Sequence, residues 1–195
     1  MRIINIGTII GYFLLMGCSI APDASKIEPK IAKTIPAVYL HESDLRLHII
    51  QDTVFLDKSY YTGFIVGYHP SGDTAFTRGY FNGVLEGAQL TWGDQHILVG
   101  SEFYINGKKE GLQRTWWLDG KTQLRYCAID DLYEGAFLEW NRKGILIKKF
   151  NYSKGQEVGQ QRLWWDNGTV RANYEIRNGR KYGLIGLKLC ANPND

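Results

Sequence analysis

The sequence predicts an all-β chain: an elongated antiparallel meander of 24-residue hairpin repeats, folded as a single-layer twisted sheet. Three observations carry this. Gly63, Gly87, Gly111, Gly135, Gly159 and Gly183 follow one another at a constant step of 24 residues. Tyr68, Trp92, Trp116, Trp140 and Trp164 form an aromatic column at the same step. Asn-Gly and Asp-Gly pairs recur between short runs rich in β-formers, and such pairs supply the positive φ that hairpin turns need.

Composition narrows the class further. The chain has 195 residues, of which 22 are Gly, 44% are hydrophobic and 22% are charged. That is too apolar, with too little net charge, for a disordered chain. Five Pro and no Gly-X-Y period exclude collagen. A net charge of +3 gives no footprint for nucleic acid. Three Cys are too few for a disulfide-built scaffold.

Residues 1–17 begin Met1-Arg2 and continue as a largely apolar run from Ile3 to Gly17. One positive charge before such a run has the layout of a secretory signal. The run is shorter than the roughly 20 residues a spanning helix needs. It ends Leu15-Met16-Gly17-Cys18, which resembles the bacterial lipoprotein signal. The resemblance implies cleavage before Cys18, diacylglycerol joined to the Cys18 sulfur and acylation of the new amino terminus. Several acyl chains on one residue anchor stably where a single chain does not. Ser19 stands where an Asp would favour the inner membrane, so the resemblance implies the outer membrane of the cell envelope. Residues 19–37 mix Pro, Ala, Ser and Lys without a sustained period. Together with Cys18 they are expected to form a tether over 18–37.

Residues 38–58 read as an N-terminal cap hairpin. Within it, Leu45–Ile50 and Thr53–Leu56 flank Gln51-Asp52, a tight-turn signal, and the first unit of an array is expected to be atypical. Residues 59–186 hold the repeats and 187–195 a C-terminal tail. Each period opens with a Gly-x-x-x-x-Trp strand, as in Gly111 to Trp116, and turns at a segment such as Leu118-Asp119-Gly120. It returns along a strand such as His96 to Ile105 and closes on a pair such as Asn106-Gly107. Two strands of about six to eight residues and two turns fill the period. Asp131 replaces Gly in one of these turns, a position that Asp tolerates better than most residues.

Alternation sorts the faces. The Trp column shares a first-strand face with Val66, Leu90, Leu112 and Leu138, and Gln89, Gln113 and Gln161 lie on the other. The second strand contributes Tyr126, Phe150 and Tyr174 in one column, and Tyr80, Tyr104 and Tyr152 in another. The expected core is this ladder of Trp and Tyr, stabilised by cross-strand aromatic neighbours.

Asn82-Gly83-Val84-Leu85-Glu86-Gly87, Asn106-Gly107-Lys108-Lys109-Glu110-Gly111 and Asn178-Gly179-Arg180-Lys181-Tyr182-Gly183 share one pattern. With the turns Trp116-Trp117-Leu118-Asp119-Gly120 and Trp164-Trp165-Asp166-Asn167-Gly168, the array resembles the MORN family in its bacterial variant. The resemblance spans residues 59–186. It implies a β-hairpin array used as a binding or scaffolding platform. Relatives of this variant are described as antitoxin-like, and the resemblance therefore also implies a neutralising partner, a role at odds with an export signal.

Residues for catalysis are not apparent. His41, His48, His69 and His96 show no metal-ligand spacing, and no Cys-x-x-Cys, P-loop, Gly-x-Ser-x-Gly or His-Glu-x-x-His occurs. His69 and His96 occupy turns. The expectation is a non-enzymatic chain without cofactor or metal. Cys127 and Cys190 remain once Cys18 is lipidated. They are either two separate thiols or a disulfide closing a loop of about 63 residues, which an oxidising compartment permits.

Trp117 and Trp165 point away from the main Trp column, beside turns two repeats apart. With strands about 4.8 Å apart they would stand about 19 Å from each other. Such aromatics either pack their own turns or grip a partner. A protein partner is the first expectation and a glycan such as peptidoglycan the second, with the membrane engaged through the lipid.

Overall fold

The computed structural model describes residues 30–186. Its turns explain its topology. Asn82-Gly83, Asn106-Gly107 and Asn178-Gly179 all have both residues at positive φ, from 48° to 81°. Asp130-Asp131 (50° and 70°) and Lys154-Gly155 (50° and 78°) do the same. Two consecutive positive φ values define the tight hairpin turn whose twist matches that of the flanking strands. Asp131 thus holds the backbone conformation its place in the sequence predicts.

Between these turns the chain is β-structure. The main path runs through β1 (Tyr39–His41), β5 (Gly63–Tyr68), β6 (Thr74–Phe81), β8 (Gly87–Trp92), β9 (Leu98–Ile105), β11 (Gly111–Trp116) and β12 (Thr122–Ile129). It continues through β13 (Leu132–Trp140), β14 (Leu146–Ser153), β16 (Gly159–Trp164), β17 (Val170–Arg177) and β18 (Arg180–Leu184). Three two-residue arms pair beside it: β7 (Val84–Leu85) on β6, β10 (Lys108–Lys109) on β9 and β15 (Gln156–Glu157) on β14. The result is one large, open, mostly antiparallel sheet of hairpin-linked strands. β1 is the exception, lying parallel to β5. A separate three-stranded sheet joins β2 (Leu47–Ile50), β3 (Thr53–Leu56) and β4 (Ser59–Tyr60). β2 and β3 reverse at Gln51-Asp52.

The buried face differs from the expected one on half of the strands. Gln113 lies opposite Tyr126, Phe137 opposite Phe150, and Gln161 opposite Tyr174. The core clusters gather Tyr126, Ala128, Phe137, Phe150, Ala172 and Tyr174 in one, and Val54, Tyr61, Ile65 and Tyr80 in the other. The second-strand aromatics therefore point inward as expected, but the Trp column does not face them. Trp92, Trp116, Trp140 and Trp164 are half-buried and Tyr68 is 48% exposed. The cause is a β-bulge in every long hairpin, with register shifts at Gly67/Tyr68, Thr91/Trp92, Thr115/Trp116, Glu139/Trp140 and Leu163/Trp164. One extra residue near the turn reverses which side chains share a face across the strands.

Successive hairpins are joined differently. β6 and β8 share only Phe76–Thr91 and Thr77–Leu90 before the strands part, and Tyr80 next pairs with Leu85 of β7. Residues 86–89 thus face only 78–79, which leaves backbone groups without ladder partners. The Gln89 amide fills the gap. Gly79 N–H donates to its Oε1 at 2.9 Å, and its Nε2 donates to the carbonyls of Glu86 (2.9 Å) and Gly87 (3.1 Å). Gln113 repeats the bridge with Phe103 N–H (3.0 Å) and the Phe103 and Glu110 carbonyls. Gln161 repeats it with Asn151 N–H (2.9 Å) and the Asn151 and Val158 carbonyls. Gln113 and Gln161 are 1% and 0% exposed, as buried amides with full partners can be. Between β12 and β13, where Phe137 occupies the corresponding place, β13 runs unbroken past a bulge and pairs with β12 on both sides of it.

The last residues of the expected tether, 30–37, are among those described. Residues 30–37 include no strand, yet they lie against the hairpin turns. Lys33 N–H donates to Glu86 Oε1 at 2.8 Å, and Lys30 pairs with Glu110 (3.1 Å) and Asp130 (2.7 Å). The composition of this stretch concealed the contacts, because they are made by backbone groups and charges and not by a periodic apolar face.

Gln113→Ala should lower the unfolding free energy by about 2–4 kcal/mol, since it strands the Phe103 N–H and the Glu110 carbonyl. Gln156→Ala, at an exposed position, should change it by less than about 0.5 kcal/mol. Urea unfolding of both variants checks this.

Candidate functional site

Each hairpin of the main sheet presents a five-residue turn at the end opposite the tight turns. Trp117 N–H donates to the Lys121 carbonyl, Asn141 N–H to Ile145, and Trp165 N–H to Thr169, at 2.8–3.0 Å. In the same role His69 N–H donates to Asp73 and Gly93 N–H to Ile97, both at 2.8 Å. These turns form a row. His69 Nε2–H donates to the Trp92 carbonyl of the next hairpin at 2.9 Å, and Asn141 Nδ2 donates to the Asp166 carbonyl at 3.2 Å.

Trp117 and Trp165 both sit in this row, with the turn of Asn141 between them. They are not equivalent. The Arg142 guanidinium lies 5.0 Å from the Trp117 ring centre and Arg171 lies 4.8 Å from that of Trp165, both within cation–π range. Trp117 is half-buried, and its buried Nε1–H finds no hydrogen-bond partner among the described residues. Trp165 is 45% exposed. It borders an open groove of about 700 Å³ lined by Lys148, Leu163, Trp164, Asp166, Asn167 and Arg171 among others. Of the two expected partner-binding residues, Trp165 thus borders this groove, while the Trp117 ring packs against Arg142 of the neighbouring turn.

At the opposite end, the tight turns form a second row that the sequence reading missed. Asn106 N–H donates to Glu86 Oε2 (2.8 Å), Asp130 N–H to Glu110 Oε2 (3.2 Å) and Lys154 N–H to Glu134 Oε2 (2.7 Å). Each glutamate is the residue before the constant-step glycine of its hairpin and anchors the turn of the next. The step of 24 from Glu86 to Glu110 to Glu134 was present in the sequence and was the available signal. The Lys30 ammonium, hydrogen-bonded to Asp130, holds that carboxyl below its ordinary value.

The most enclosed cation on this side is Lys109, hydrogen-bonded to Glu102 and, at 3.2 Å, to Tyr126 Oη. Burial pulls the Lys109 ammonium down, but the hydrogen bonds to Glu102 and Tyr126 outweigh it and leave its pKa above the ordinary value. Burial pushes the Tyr126 phenol up. Both shifts carry these two groups further from neutral pH, so the Lys109 ammonium and the Tyr126 phenol are not tuned for proton transfer there. Among the described residues no group of three or more His, Cys, Asp or Glu is placed to hold a metal ion. Among them, too, no helix is long and apolar enough to cross a membrane.

Cys18 and Cys190 lie outside the described residues, as do the expected signal over 1–17 and the tail over 187–195. Cys127, on β12, is disulfide-bonded. Compared with known proteins, the chain matches no protein family, no curated protein and no solved structure.

Proposed function

We propose that this chain is a lipid-anchored, non-enzymatic protein-interaction module of the bacterial envelope, its sheet an array of 24-residue hairpins of the MORN kind. The anchor rests on Leu15-Met16-Gly17-Cys18 after an apolar run. The repeat is supported by the bulges at Tyr68, Trp92, Trp116, Trp140 and Trp164, which recur at the step of the sequence columns. The observation that carries the binding role is the groove beside Trp165. It combines an exposed indole, two cations (Lys148 and Arg171) and the polar side chains of Asp166 and Asn167. A half-exposed aromatic ringed by polar groups is the usual make-up of an interface anchor. A glycan is the second reading, favoured by the indole face beside an amide and a carboxylate in the same groove.

Capture of envelope proteins with the wild-type chain and with Trp165→Ala tests the binding role. The protein reading expects a partner held by the wild type and lost from the variant; retention of isolated peptidoglycan instead would shift the assignment to the glycan. Identical captured sets would remove Trp165 from the function.

Acyl labelling of wild type and Cys18→Ala tests the anchor: label and membrane fractionation should both vanish in the variant. We propose Cys190 as the disulfide partner of Cys127, which leaves Cys18 for the lipid. Peptide mapping without reduction should recover Cys127 joined to Cys190. A Cys127–Cys18 peptide would contradict the pairing and the anchor together.

A further inference from the structure

We propose that the row of tight turns bearing Glu86, Glu110 and Asp130 is a recognition track for an extended peptide with lysines three residues apart. Residues 30–37 are its built-in occupant, displaced when a partner presents such a segment. This deepens the interaction-module reading and rests on it.

The spacing of the arm's lysines matches the spacing of the hairpins. Lys33 meets Glu86 and Asn106, and Lys30 meets Glu110 and Asp130, which stand one hairpin further along the row. Three extended residues cover about 10 Å, and two strand spacings of about 4.8 Å cover nearly the same distance. An extended chain therefore advances one hairpin for every three residues. It meets a glutamate of the row at each step, through the Lys33 backbone N–H at Glu86 and the Lys30 ammonium at Glu110.

The track reads both backbone and side chains. Glu86 is 0% exposed, and its two carboxylate oxygens accept the N–H groups of Lys33 and Asn106, each at 2.8 Å. A buried carboxylate requires such donors, so the arm completes a site that the turn alone half-satisfies. Any extended peptide can offer that N–H. Charge selects among peptides: the Lys30 ammonium bridges Glu110 and Asp130. The Lys33 ammonium reaches Asn106 Oδ1 at 2.5 Å and lies 5.0 Å from the Phe81 ring centre. Ile35 fills a seat kept open by Gly79, where an added Cβ would stand 2.6 Å from the Ile35 Cδ1.

The contacts suit exchange. Exposed ion pairs are individually weak, and the arm holds its place through the millimolar effective concentration that covalent linkage confers. A free peptide must overcome that advantage unless the arm is loosened first.

The test uses the full chain and a fluorescein-labelled peptide of sequence Glu-Pro-Lys-Ile-Ala-Lys-Thr-Ile-Pro-Ala, read by anisotropy. The Lys30→Glu, Lys33→Glu variant should bind it at least tenfold more tightly than the wild type, because its own arm no longer competes. A peptide with both lysines replaced by Glu should not bind, and adding Glu110→Lys and Asp130→Lys to the variant should abolish binding. As a check that does not depend on the variants folding, millimolar peptide should speed hydrogen exchange of the Lys33 amide in the wild type. The proposal is overturned if a folded variant fails to bind, if the Glu peptide binds equally, or if Lys33 exchange is unmoved. Peptide binding without any captured envelope partner would keep the track and sink the broader function; the converse would sink only the track.

Discussion

The sheet depends on a side chain that substitutes for backbone. Strands of neighbouring hairpins pair for two residues and then part, because four residues on one strand face two on the other. An interior gap of this kind leaves peptide groups dry and unpaired, at a cost of about 1–3 kcal/mol each. Gln89, Gln113 and Gln161 each insert a carboxamide that accepts one N–H from the facing strand and donates to the carbonyl three residues before it. Only an amide offers both functions in one plane at that reach. A carboxylate would turn an oxygen towards those carbonyls, and a leucine would satisfy nothing.

This join also places the surface on which function is proposed. The Gln89 and Gln113 amides hold the carbonyls of Glu86 and Glu110, so they fix the two glutamates whose carboxylates anchor the next turns and meet the N-terminal arm. At the other end, the bulges displace the Trp column from the core and bring the following turns into a row, where Trp165 stands exposed and Trp117 is packed under Arg142. Both rows follow from the way the hairpins are joined and terminated.

Much of the fold was legible. Glycine and Asn-Gly pairs marked turns because few other residues accept positive φ, and the strands fall between them. The inward aromatics Tyr126, Phe150 and Tyr174 were legible for the same reason. The first-strand face was not. Alternation counts residues, and a bulge adds one without any mark in composition, so Trp116 and Gln113 exchanged roles. A buried Gln likewise looks polar and exposed until the carbonyls it must satisfy are known. Of the candidate site, Trp165 was legible from its doubled Trp beside a turn. Trp117 looked the same: each indole carries an arginine, and what separates them is burial, which encloses the Trp117 ring and leaves Trp165 exposed. The glutamate row carried a clear step, but the lysines that meet it lie in a stretch with no period to reveal them.

The central claim is that the glutamine amides complete the sheet as backbone would. Hydrogen exchange of individual amides by NMR tests it most directly, at Gly79, Phe103 and Asn151, whose N–H groups donate to Gln89, Gln113 and Gln161. The account predicts protection equal to that of ladder amides in the middle of β9 and β14. Exchange as fast as that of the exposed turn amides at Asp166 and Asn167 would contradict it.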